Sequence, residues 1–197
     1  MYFWIARWIF LLWDALLIAW AVSLMTSQPA IQTQNSESRI AQIAIQVFGM
    51  WMIFGSPFLL RRTILADRIL PTRASIALLG LSFTVLGMLW AAYARITLGR
   101  NWNPSGREGV MISRRGHRFI RRGPYRLARH PIYAGLIFAV LGTAIVYVRL
   151  ECFAGALLVA IGLWFKLRSE EKFMLAHFSE DYARYQSEVR ALIPFVY

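Results

Sequence analysis

Apolar runs of membrane-spanning length constrain this chain more than any other feature. A hydrocarbon core about 30 Å thick takes about 20 mostly apolar residues in helical form. The sequence carries three such runs, at about 3–25, 40–60 and 74–96. Two shorter runs follow at about 132–148 and 152–165, separated only by Arg149, Leu150 and Glu151, which reads as a tight helical hairpin. The first run holds Arg7 near its start and Asp14 as its one acid, and it is too long and too aromatic for a signal peptide. Only 16% of the 197 residues are charged and 58% are apolar, whereas a soluble domain carries roughly a quarter charged. One small core cannot hide that much apolar surface, so lipid covers part of it. The expected fold is all-α: a polytopic membrane protein of about five transmembrane helices, closing with the C-terminal hairpin and an amphipathic tail. In that tail Met174, Phe178, Tyr182, Tyr185 and Val189 recur at helical spacing.

Charge sets the expected orientation. The excess of 22 Lys and Arg over 10 Asp and Glu leaves a formal charge of +12. In a soluble chain such an excess suggests nucleic acid. In a chain of spans it reads instead as cytoplasmic loops and contact with anionic headgroups, so the bilayer is the expected partner and nucleic acid is not. The segment 98–129 carries nine arginines and is too polar to span, which places it in the cytoplasm. The Arg149/Glu151 turn then lies on the far side and the tail returns. One segment resists this scheme. If 74–96 crosses once, the loop 61–73 lies outside with net charge +3, from Arg61, Arg62, Arg68 and Arg73 less Asp67. Cys152 is the single cysteine, and His117, His130 and His177 show no ligand spacing, so neither a disulfide nor a metal site is expected. Nothing in the sequence sets an oligomeric state.

Three clusters stand near the expected membrane boundary. Leu98-Gly99-Arg100-Asn101-Trp102 has the pattern of a helix end, with glycine as the cap and Trp102 in the interface belt. Gly123-Pro124-Tyr125-Arg126-Leu127-Ala128-Arg129-His130-Pro131-Ile132-Tyr133-Ala134-Gly135 begins with a turn and places Pro131 where the next helix can start. That helix N-terminus favours a nearby carboxylate. Taken alone, the Arg and Tyr residues of this cluster would serve as interfacial anchors. Glu170-Glu171 follows the last apolar run. Carboxylates near or within a membrane are costly and tend to be paired or functional, and the arginines of the second cluster are candidate partners.

The pattern Gly-Pro-Tyr-Arg-x-x-Arg-His-Pro-x-Tyr-x-Gly, then Glu-Glu, Phe178, Tyr182, Tyr185 and Ile193-Pro194, resembles the isoprenylcysteine carboxyl methyltransferase family, as does the upstream Leu-Gly-Arg-Asn-Trp. The wider group includes phospholipid N-methyltransferases. The resemblance covers roughly residue 98 to the end, which divides the chain into N-terminal helices at 1–97 and a membrane-embedded catalytic region at 98–197. It implies S-adenosylmethionine as methyl donor and a lipidic or small acceptor reaching the site from the bilayer. By matching position, it implies that Tyr125, His130, Pro131, Tyr133, Ala134, Gly135, Glu170 and Glu171 hold the donor. It further implies catalytic roles for Arg129, Arg168 and Glu171, and acceptor contacts from Trp102, Lys166, Arg168 and Tyr182. This chain departs from the family at Lys166, where arginine is frequent, and Arg168 lies two residues later. Lysine is a point charge without the planar fork that grips a carboxylate at two places.

Methyl transfer is an in-line displacement in which proximity and orientation supply much of the acceleration. A sulfonium can rest against aromatic faces, as other cations do. A carboxylate acceptor needs a cation to place it, whereas an amine needs a base to free its lone pair. An Arg-rich site with few acids beyond the two glutamates tilts towards a carboxylate or thiol acceptor. The leading expectation is an integral, multi-pass methyltransferase with its catalytic region on the cytoplasmic side, acting on an isoprenylcysteine-type carboxylate. The rival readings are phospholipid N-methylation, a nicotinamide-dependent sterol-type reductase, and a non-catalytic membrane scaffold or lipid-binding protein.

Overall fold

The computed structural model describes residues 2–25, 36–55, 73–99 and 120–192. Among them the elements are α1 (Tyr2–Met25), α2 (Ser36–Phe54), α3 (Ala74–Leu98), a 3₁₀ turn (Gly123–Arg126), α4 (Pro131–Tyr147) and α5 (Leu150–Glu188). The all-helical expectation holds. Two segments, Ala74–Leu98 and Leu150–Ala176, are long and apolar enough to cross a membrane, and the apolar stretches of the other three helices are shorter. Length and apolarity therefore qualify two spans rather than five. The loop 61–73 lies outside the described residues apart from Arg73.

The helices alternate in direction. Gly80 meets Gly142 and Val146, and Gly87 meets Gly135 and Ala139, so α3 and α4 run antiparallel. Gly49 meets Gly155 and Gln42 donates to the Gly162 carbonyl at 3.1 Å, so α2 and α5 do the same. The Trp13 indole donates to Thr143 at 3.0 Å while Phe10 packs near Tyr147, which sets α1 antiparallel to α4. Consequently the end of α2 and the start of α3 share one end of the bundle with the α4–α5 turn. The end of α3, the start of α4 and the far part of α5 share the other.

Small residues set the closest approach. Lipid tails offer no hydrophobic drive between helices, so association rests on tight packing and interhelical polar contacts. A Cβ added at Gly142 would lie 2.4 Å from the Thr84 nitrogen, and one at Gly87 would lie 2.5 Å from the Gly135 carbonyl oxygen. Thr84 Oγ1 donates to the carbonyls of Gly80 at 3.0 Å and Ala139 at 3.3 Å, so its hydroxyl is satisfied within the same contact. α3 ends where expected, at Gly99, whose φ of 56° lets its amide return to the Arg95 and Ile96 carbonyls.

The last apolar run and the amphipathic tail form one helix. The apolar run was expected to stop near residue 165, yet α5 continues through 39 residues to Glu188, bending at Ser179 (φ 32°, ψ −104°). Leu167, Glu171 and Met174 are buried. The polar stretch is therefore one face of a continuing helix, with its carboxylates directed inward.

Gly142→Ala is expected to destabilise the protein by about 1–3 kcal/mol, because overpacking must push α3 and α4 apart. Leu89→Ala, at a position that is 61% exposed, is expected to shift stability far less. Thermal denaturation of both variants in the same detergent checks the contrast.

Candidate active site

Pro131 opens α4 because its missing N–H costs nothing at a helix start. His130 immediately before it has an extended φ of −123°. The preceding Gly123-Pro124 turn presses on the end of α3: a Cβ at Gly123 would lie 3.2 Å from the Tyr93 hydroxyl. These constraints hold residues 125–133 as a compact corner. The α4–α5 hairpin then returns the far part of α5 to that corner.

The two glutamates meet it there. Tyr133 donates to Glu170 Oε1 at 2.5 Å. His130 Nδ1 lies 3.6 Å from Glu170 Oε2, and its Nε2 lies 3.4 Å from Glu171 Oε1. Arg129 contacts the same Glu171 oxygen through Nε at 2.7 Å and Nη2 at 2.6 Å. Among the described residues, every Glu171 contact falls on Oε1. The Tyr133 ring stacks on the His130 imidazole, with 5.6 Å between centres and 5° between planes. The Lys166 ammonium lies 5.7 Å from the Tyr133 ring centre, and its charge reaches Glu170.

The side chains of Arg129, His130, Glu170 and Glu171 are only 5–12% exposed. Removing ions from water is costly unless they are paired and hydrogen-bonded, and here the carboxylates alternate with cations and a phenol. Burial alone would lower the His130 imidazole, but Glu170 and Glu171 outweigh it and hold the group above its ordinary value. Burial, joined by the Glu170 charge, pushes the Tyr125 phenol upward.

Residues expected at the site divide into three sets. Arg129, His130, Tyr133, Glu170 and Glu171 converge, with Lys166 at the edge. Tyr125 is buried beside them, where its carbonyl accepts from the Tyr185 hydroxyl at 2.5 Å. Pro131 is buried at the start of α4, and Ala134 and Gly135 line an apolar groove of about 470 Å³ that continues along Leu86, Gly87, Trp90 and Phe138. Arg168 stands elsewhere, and Tyr182 lies behind the cluster, packed with Tyr125 and Ile132 and within reach of the charges of Glu171 and Arg129. Arg168 is exposed and lies over the Trp164 ring at 4.6 Å, while Tyr182 is fully buried in the core beside Tyr185. Trp102, Arg100, Asn101 and the Ile193-Pro194 pair lie outside the described residues.

Two features had no counterpart in the sequence reading. The α3 wall of the groove comes from a span with no distinguishing motif. The chain after Ser179 folds back so that the Arg129 amide donates to the Arg190 carbonyl at 2.8 Å and the His130 amide to that of Ala191 at 2.9 Å. The amphipathic spacing of Tyr182, Tyr185 and Val189 was the available signal, but it shows a buried face and not what covers that face.

Two helices long and apolar enough to cross a membrane, in a bundle that buries an ionic cluster at one end, define an all-α protein of membrane type with a polar site beside an apolar groove. The model of the isoprenylcysteine carboxyl methyltransferase family matches residues 78–176, half of the chain. This chain belongs to that family. It is 28% identical over 122 residues to protein-S-isoprenylcysteine O-methyltransferase of Xenopus laevis, covering 61% of this chain and 41% of that protein. It is 31% identical over 121 residues to the protein of the same name from Tribolium castaneum, covering 60% and 41%. The chain thus matches about two fifths of the length of these relatives. Its fold resembles that of a eukaryotic intramembrane Ras methyltransferase, isoprenylcysteine carboxyl methyltransferase, with a TM-score of 0.54 and 22% identity over 83% of this chain and 55% of that one.

The raised His130 carries a pH signature. The stability contributed by the charged imidazole is fully present below the ordinary value of about 6.5 and is lost as pH rises through the higher folded value. The melting midpoint is expected to fall across that window, and His130→Gln is expected to flatten the fall. A variant with the parent's slope would argue against a charged imidazole in the cluster.

Proposed function

We propose that this protein is an integral membrane methyltransferase that uses S-adenosylmethionine to methylate the carboxylate of an isoprenylcysteine-type acceptor. The observation that carries the proposal is the convergence of Glu170 and Glu171 on the corner Arg129–Tyr133 beside an apolar groove. Family membership supports the reaction type.

The residues fit such a donor. Glu171 directs Oε1 to Arg129 and His130, which leaves Oε2 for an ammonium or a ribose hydroxyl. His130 Nε2 faces Glu171 Oε1 at 3.4 Å, and Nδ1 faces Glu170, so both ring nitrogens fix the corner against the two carboxylates. The N-terminus of α4 favours a carboxylate, and the aromatic rings of the corner suit a sulfonium. Bound there, the donor supplies an electrophilic methyl group. The chain's own contribution is to hold its partners in line and exclude water.

Acceptor placement follows from charge and shape. A carboxylate is already nucleophilic and needs a cation rather than a base. Both glutamates are held by cationic or phenolic partners, and Lys166 presents positive charge at the edge of the cluster. The groove beside Ala134 and Gly135 suits an apolar chain delivered from the bilayer. The alternating helix directions support five crossings, and the nine arginines of 98–129 favour the cytoplasm for the site end. Arg61, Arg62, Arg68 and Arg73 oppose that orientation from the other end with a smaller charge.

Calorimetry with S-adenosylhomocysteine on the folded protein is expected to show saturable binding, and its absence at high ligand concentration would remove the donor assignment. Leu86→Trp, which narrows the groove, is expected to raise KM for a prenylcysteine acceptor several-fold while leaving affinity for S-adenosylhomocysteine unchanged. Methylated phosphatidylethanolamine in the lipids of expressing cells would replace the acceptor assignment by N-methylation.

A further inference from the structure

Arg129 joins two parts of the chain that are far apart in sequence. Its guanidinium is 11% exposed, and all three nitrogens are engaged. Nε and Nη2 hold Glu171 Oε1, while Nη1 donates to the Gln186 carbonyl at 3.2 Å and to that of Val189. Its backbone amide donates to Arg190, and the amide of His130 donates to Ala191. Two successive residues thus direct their side chains to the carboxylates and their amides to the C-terminal limb, residues 180–192.

The limb has its own tension. Ser179 holds a positive φ of 32° without being glycine. A non-glycine residue in such a conformation costs roughly 1–3 kcal/mol and persists only where surrounding contacts over-determine it. Those contacts are the Arg129 bridge, the backbone pairs to 190 and 191, the Tyr185 bond to the Tyr125 carbonyl, and the Arg121–Glu188 ion pair at the rim.

From this geometry we infer that Arg129 is a positioning residue, not an acceptor-binding arginine. It acts through Glu171, and it couples docking of the limb to the carboxylate geometry of the donor site. Charge-assisted hydrogen bonds are about twice as strong as neutral ones, so Glu171 holds the guanidinium in the one orientation that also reaches the two limb carbonyls. Loss of the Glu171 charge lets Arg129 turn and the limb lift. Displacement of the limb in turn frees Arg129 and shifts Glu171. The coupling between limb and carboxylate stands on the contacts themselves. Its link to donor affinity rests on the function proposed above.

The test is hydrogen exchange on the full-length protein in lipid nanodiscs, with no ligand present. The amides of Arg129 and His130 report limb docking directly. In Glu171→Gln these amides and those of 186–191 are expected to exchange roughly ten-fold faster or more, as loss of a hydrogen bond to a charged group implies. Arg129→Lys, which keeps the charge but cannot span three acceptors, is expected to do the same. Limb exchange at the parent rate in Glu171→Gln or Arg129→Lys would overturn the coupling. A second arm measures S-adenosylhomocysteine affinity well below the melting midpoint. Arg129→Lys is expected to weaken it roughly ten-fold, whereas a merely structural role would lower the midpoint and leave affinity in the folded protein unchanged. If the parent protein binds no S-adenosylhomocysteine, the functional proposal fails, and the exchange arm still decides the coupling.

Discussion

Two adjacent carboxylates near the end of an apolar helix must be neutralised or left in water, and this fold neutralises them. Glu170 takes the Tyr133 hydroxyl and the His130 imidazole, and Glu171 takes Arg129 and the other face of that imidazole. Pairing of this kind holds only when both sides arrive together, since breaking a buried pair strands a charge. The demand reaches back through the chain. α5 must continue beyond its apolar run, the hairpin before it must be tight, and Pro131 must begin α4 at the level where the glutamates return. The turn at Val148 meets the second demand by taking a left-handed φ of 53°, unusual for a β-branched residue.

Close helix packing sets where that cluster meets the apolar groove. Gly80, Thr84 and Gly87 on α3 lie against Gly142, Ala139 and Gly135 on α4 with no room for a further carbon. The same stripe that closes the contact along its length borders the groove beside Ala134, Gly135 and Trp90. Helix contact and groove are therefore one feature: the register that brings Gly87 to Gly135 also sets the groove beside Ala134, next to Tyr133.

Cation roles are separated by geometry more than by residue type. Arg129, Lys166 and Arg168 are close in expected function on paper. In three dimensions Arg129 is spent on Glu171 and two backbone carbonyls, and Arg168 stacks on Trp164. Lys166 borders Tyr133. An i to i+2 spacing on a helix turns side chains to different faces, so Arg168 cannot substitute for a group at position 166.

Much of this was legible in the chain. Apolar runs marked where each of the five α-helices begins to within a few residues, and the Gly99 cap and Pro131 start follow from local backbone preferences. The expected alliance of the glutamates with the Arg-His-Pro corner could also be drawn, because buried acids require partners and few were on offer. The apolar run ended near residue 165 because hydropathy counts charge and not the direction in which a charged side chain points; the helical spacing of the tail was the signal that the helix goes on. Tyr182 is buried behind the cluster beside Tyr125 and Ile132, a neighbourhood that helical spacing could not name, since it reveals a buried face without saying what covers it. By itself, then, the sequence determined the helical class, where the helices begin and the chemical identity of the cluster, all properties of short stretches and their composition. Only the tertiary structure decided that Arg129 closes onto the chain after Ser179, that Arg168 turns away, and that two unremarkable helices wall a groove. The Arg129 closure and the groove depend on contacts between segments 40 to 60 residues apart, and no local periodicity encodes them.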